Sequence, residues 1–169
     1  MRAMPFDPQA YGPQVAAILA LIAEGANDRA AALIREGGAA LFAGSRAPEA
    51  ALAGLYLRAG RWKEAHETAQ DVHTREGSYW HAIVHREEPD PGNSAYWFRQ
   101  AGRHPIFPAL AHAAGLAEWN PVYFIDLCEQ ARSQPGSDLD RQCRELRLAE
   151  WQLLFDWCAC KKADAAPSL

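Results

Sequence analysis

The stretch Pro48–Ala69, PEAALAGLYLRAGRWKEAHETA, decides the fold. It is built from Ala, Leu, Glu, Lys and Arg, the residues that lose least on entering a helix. A proline stands where a helix would begin, and Gly60 where one would end. Proline just inside the start and glycine just past the finish is the asymmetry expected of helix boundaries. The reading is one helix from Pro48 to Ala59, a tight glycine turn, and a second helix from Trp62 to about His73.

Outward from this pair the same punctuation recurs. A helix from Pro13 to Glu24 stops at Gly25, and another, capped by Asn27, stops at Gly37-Gly38. Downstream, Ser78 to Glu87 or Glu88 is helical. Asp90 caps a helix with Pro91 in its first turn that closes at Gly102. His104-Pro105 and Asn120-Pro121 open two more. After the break Ser133-Gln-Pro-Gly-Ser137, a long helix from Asp138 to Cys160 carries Leu139, Cys143, Leu146, Glu150, Leu153 and Trp157 at steps of three and four, a stripe that faces a core. No segment alternates with the period of a strand. The expected fold is all-α: a single-domain antiparallel helical bundle of eight or nine helices, with residues 1–12 and 161–169 as loose termini. Tyr56, Gly60, Ala65 and Ala69 resemble the spacing of a tetratricopeptide hairpin, but no second copy follows at that repeat's period. That resemblance implies, at most, a helical module that binds a protein partner.

The 169 residues, 49% of them apolar, suit one domain with its own core. A formal charge of -4 with no Lys/Arg run argues against a nucleic-acid or anionic-membrane surface. The longest apolar run, Val15 to Ala23, is too short to span a bilayer. The start, MRAMPFDPQAYGPQ, does not read as a secretion signal, so a reducing, cytoplasmic setting is expected. Cys128, Cys143, Cys158 and Cys160 are then free thiols serving as small core residues. The excess of Arg over Lys and the abundance of Ala suggest a bacterial genome.

Chemistry concentrates between Ser78 and Pro105, SYWHAIVHREEPDPGNSAYWFRQAGRHP. His81, His85 and Glu88 fall at i, i+4 and i+7, on one helical face. Imidazole and carboxylate at that spacing fit acid–base work near neutral pH. They equally fit a mononuclear Zn²⁺, Fe²⁺ or Mn²⁺ site, completed by His66 from the preceding hairpin or by His104. Ala-Ile-Val between the histidines leaves no glutamate where a zincin metalloprotease keeps its general base. Arg86, Arg99 and Arg103 offer planar forks for carboxylate or phosphate near two helix starts. Trp80, Asn93, Tyr96, Trp97 and His104 complete a wall suited to a small polar ligand with a flat part. There is no Gly-x-Ser-x-Gly and no phosphate-cradling glycine loop.

The expected function is therefore a His/Arg/Glu/Trp-lined pocket for a small polar or anionic ligand, with His81, His85 and Glu88 as acid–base candidates. The alternative is a divalent-metal enzyme using His81 and His85. The run Tyr-Trp-His-x3-His-Arg-x-Glu-Pro-Asp, followed by Asn, Tyr-Trp-Phe and Gly-x-His-Pro, resembles a family of mostly bacterial proteins with fungal members. That family has no assigned activity. The resemblance covers about a sixth of the chain and implies only that the stretch acts as one unit.

Overall fold

The computed structural model describes residues 6–161. Among them nine α-helices follow one another: α1 Pro13–Ala23, α2 Asn27–Gly37, α3 Pro48–Arg58, α4 Trp62–Asp71, α5 Arg75–Glu87, α6 Pro91–Ala101, α7 Phe107–Ala114, α8 Pro121–Arg132 and α9 Asp138–Ala159. Short 3₁₀ turns lie at Pro8–Tyr11 and Gly38–Phe42. The only extended pairing among the described residues is an isolated bridge between Ser45 and Lys161. The fold is an all-α bundle.

The boundaries follow local chemistry. Asp90, Asn120 and Ser137 each accept a backbone N–H from the first turn that they cap. Three starts depart from expectation. Asn27 is the first helical residue of α2 rather than its cap; the cap position is Ala26, which has no side-chain oxygen to offer. Helix α5 begins at Arg75, not Ser78, because the Thr74 hydroxyl accepts from Gly77 N at 3.2 Å. Helix α4 ends at Asp71, since Val72 is extended. Helix α7 starts at Phe107, with Pro108 in its first turn.

The loose N-terminus expected for residues 1–12 is corrected over its last part. Asp7 caps the turn at Pro8–Tyr11, and Tyr11 is buried. Its hydroxyl donates to Asp156 at 3.0 Å, and its ring meets Phe155 edge-on at 5.0 Å. Residues 1–5 and 162–169 lie outside the described residues. At the other end Arg46 N donates to Cys160 O at 2.9 Å and Ala47 N to Cys158 O at 3.0 Å, so the end of α9 is tied to the loop before α3.

Helix α5 is the central rod and packs against α3, α4 and α6. Tyr79, Trp80, Ala82, Ile83 and Val84 are all buried on it. The Trp80 ring lies so close to α3 that a Cβ on Gly54 would sit 2.6 Å from Trp80 Cζ2, so only glycine fits. Helix α9 closes the core with Leu154, Phe155 and Cys158, each fully buried. Burial of a large aliphatic or aromatic side chain stabilises a fold by roughly 1.5–3 kcal/mol. Cys128, Cys143 and Cys158 are buried free thiols. No helix of the described residues is long and apolar enough to cross a membrane.

Candidate metal centre

Helices α4 and α5 form a hairpin whose facing sides carry imidazoles. His66 comes from the middle of α4. His81 and His85 come from successive turns of α5, so i,i+4 spacing stacks their rings, with centroids 4.8 Å apart. The His66 ring stands edge-on to both, at 4.5 Å from His81 and 5.1 Å from His85. His66 Nε2 and His81 Nε2 are 2.9 Å apart and share a hydrogen bond. One coordinating nitrogen from each of the three histidines falls within 4.8 Å of the others.

The surroundings hold this cluster in a defined electrostatic state. Trp97, on α6, stacks on His81 at 4.2 Å with the planes tilted by 24°. His81 is buried, and its pKa is pushed down to about 4 by loss of water and then by its His66 and His85 neighbours. Burial and His66 also lower His85, against the opposing pull of Asp90 and Glu88. His85 Nδ1 faces Asp90 Oδ2 at 3.8 Å. Asp90 accepts from both Asn93 N (3.2 Å) and Asn93 Nδ2 (2.7 Å), and those bonds hold its carboxyl below the usual carboxylate range. The Nδ1 atoms of His81 and His85 are buried without a hydrogen-bond partner among the described residues. At neutral pH His81 is thus an uncharged imidazole with a lone pair, the form that binds metal.

The other residues singled out in the sequence do not join this centre. Glu88 is exposed and sits at the C-terminal cap of α5, after helical geometry has ended at Glu87. Trp80 turns to the opposite side and is fully buried against α3. Arg86 is also buried; its Nη2 donates to Glu150 Oε2 at 2.6 Å, and Tyr79 Oη donates to Glu150 Oε1 at 2.9 Å. Asn93 is the partner of Asp90. Tyr96 is exposed and meets Trp97 edge-on. Arg99 is exposed, and Arg103 pairs with Glu118 at the surface.

His104 is buried in a separate polar knot, with Nε2 3.7 Å from Glu76 Oε1. The Glu76 carboxyl, held down at about 2 chiefly by that imidazole, also accepts from Trp157 Nε1 at 3.2 Å. A shared hollow lined by all the imidazoles, guanidiniums and indoles is therefore not what the chain builds. It builds a three-histidine centre on one side of α5 and a buried Arg86–Glu150 pair on another. Asp90 was legible only as a helix cap. Its second role, facing His85, depends on how the α5–α6 turn folds back.

No family model, curated protein or solved structure matches the chain. The site's own geometry therefore carries the functional reading.

Proposed function

We propose that this protein is a mononuclear metal-dependent enzyme, with a divalent ion held by His66, His81 and His85. The observation that carries it is the convergence of three imidazole nitrogens within 4.8 Å across the α4–α5 hairpin. Metal–nitrogen bonds of about 2.0–2.1 Å place tetrahedral ligand atoms roughly 3.3 Å apart, so small rotations of the rings suffice. Asp90, 3.8 Å from His85 Nδ1, would orient that ring if the two closed to hydrogen-bond distance on metal binding, the carboxylate–histidine–metal arrangement that fixes tautomer and ring angle.

His66, His81 and His85 would hold the ion through imidazole nitrogens. Held there, the ion would supply Lewis acidity toward water near neutral pH. The reaction class that fits is hydrolysis by metal-activated water. Trp97 keeps the His81 side dry and adds an apolar wall.

Equilibrium dialysis against Zn²⁺, with elemental analysis, tests the reading. One equivalent per chain is expected, lost in the His66→Ala, His81→Ala and His85→Ala variants and retained in Glu88→Ala. Co²⁺ substitution should give the intense visible bands of a four-coordinate site. Absence of stoichiometric metal at micromolar Zn²⁺ refutes it.

A further inference from the structure

A second site lies on another side of α5. A cleft of about 480 Å³ opens between α2, the end of α3, the start of α4, α5 and α9. This size is typical of small-molecule pockets. We propose that it binds a small organic monocarboxylate with a flat, apolar body.

The charge comes first. Four guanidiniums line the cleft: Arg58, Arg86, Arg144 and Arg147. Three already have an acid. Arg86 pairs with Glu150, Arg144 with Asp140 at 2.6 Å, and Arg147 with Glu87 at 2.8 Å. Arg58 has no ion pair among the described residues and instead lies over the Trp151 ring at 5.4 Å. One positive charge is left over, which matches a monoanion. Arg86 adds an unmet need: it is 99% buried, and its Nε, 3.5 Å from Glu87, and its Nη1 have no hydrogen-bond partner among the described residues. A buried donor left unpaired is costly, so an acceptor is favoured there.

The backbone agrees. Asn27 and Trp62, the first residues of α2 and α4, both line the cleft. Neither helix has a side-chain cap hydrogen bond. The N-terminal ends of two helices, where partial positive charge gathers, therefore border the same cleft, with Asp28 and Glu64 in their first turns. The nearby Asp28 and Arg61 pair with each other and leave that balance unchanged. Body chemistry is set by the walls. Trp62 and Leu148, both large apolar side chains left exposed, flank the cleft, and Trp151 forms part of its lining. A flat carbon skeleton would cover them while its carboxylate reached the guanidiniums.

Isothermal titration calorimetry with 2-naphthoate tests this, with 2-naphthalenemethanol and acetate as the uncharged and truncated comparisons. The expected result is one saturable site for 2-naphthoate and far weaker binding of the other two. Arg58→Ala should weaken 2-naphthoate by about tenfold through loss of a charge-assisted contact, and Leu148→Asp should abolish binding. Both side chains are exposed, so both variants should fold. Chelator-treated protein and His66→Ala should bind 2-naphthoate as the wild type does, which separates this site from the histidine centre. The proposal fails if 2-naphthoate shows no saturable binding up to millimolar concentration. It also fails if the alcohol binds equally well, if both cleft variants behave as wild type, or if binding is lost with His66.

Discussion

His66 and His81 meet nitrogen to nitrogen at 2.9 Å, although they belong to different helices. Only one proton can sit between two such atoms. Burial, and then its His66 and His85 neighbours, push the His81 imidazole down to about 4. This fixes the sign of the first prediction. The folded value lies below the ordinary one of about 6.5, so the unfolded chain binds more protons between roughly pH 4 and 6.5. Stability contributed here is full above that window and falls as the pH drops through it, by up to about 3 kcal/mol at pH 4. His85 adds in the same direction. Urea denaturation of wild type and His81→Gln at pH 7 and pH 4.5 checks it: the wild type should lose more on acidification than the variant. Glu76 works in a lower window, since its depressed value of about 2 loses its contribution only as the pH falls below the carboxylate range.

Asp90→Asn probes orientation rather than ligation. Asparagine caps a helix about as well as aspartate, so α6 should keep its start. The loss is the carboxylate 3.8 Å from His85 Nδ1. Zn²⁺ affinity should fall about tenfold to a hundredfold, the usual effect of removing such an outer partner, with helix content by circular dichroism unchanged. Equal affinity in variant and wild type would remove Asp90 from the centre.

Glu150 is fully buried and receives both Arg86 and the Tyr79 hydroxyl. Glu150→Gln leaves the Arg86 guanidinium without its main counter-charge and should cost about 3–5 kcal/mol. Thermal unfolding should shift down by roughly 10 °C. The Arg86→Met, Glu150→Leu double variant should recover much of that loss, because an apolar pair of similar volume avoids desolvating two charges.

Gly77→Ala tests the hinge between α4 and α5. A Cβ there would lie 2.0 Å from the Val72 carbonyl oxygen, which is backbone and cannot swing aside. The variant should be destabilised by about 1–3 kcal/mol. Because the same turn sets the register of His66 against His81, its Zn²⁺ affinity should fall as well. Serine at position 77 should do the same, and a variant as stable as wild type with unchanged metal binding would rule the close approach out.

Much of the architecture was legible because its signals are local. Pro13, Pro48, Pro91 and Pro121 each stand at the first position of an observed helix. Two of the misses were equally local in origin. The helix was expected from Ser78, yet Gly77 is already helical, and only glycine clears Val72 there. Glu88 keeps the helical phase of the histidines, yet the helix has ended before it. Spacing placed His81 and His85 on one face, and the hairpin put His66 within reach as a completing ligand. The destination of Arg86 was not legible, since Glu150 lies sixty-four positions further along. Nor was the cleft: Arg144, Arg147 and Leu148 look in sequence like an ordinary solvated helix face, and only the packing of α9 on α3, with its side-chain bonds to α5, makes them a wall.

The three imidazoles straddle a single helix-turn-helix seam, remote from the aromatic packing of α9. An ion seated there would act as a local staple, cross-linking only the segment between positions 66 and 85. Loop closure over so few residues restrains the chain modestly. Amide hydrogen exchange should therefore slow on metal addition in α4 and in α5 as far as His85, while the slowest amides of α9 keep their rates.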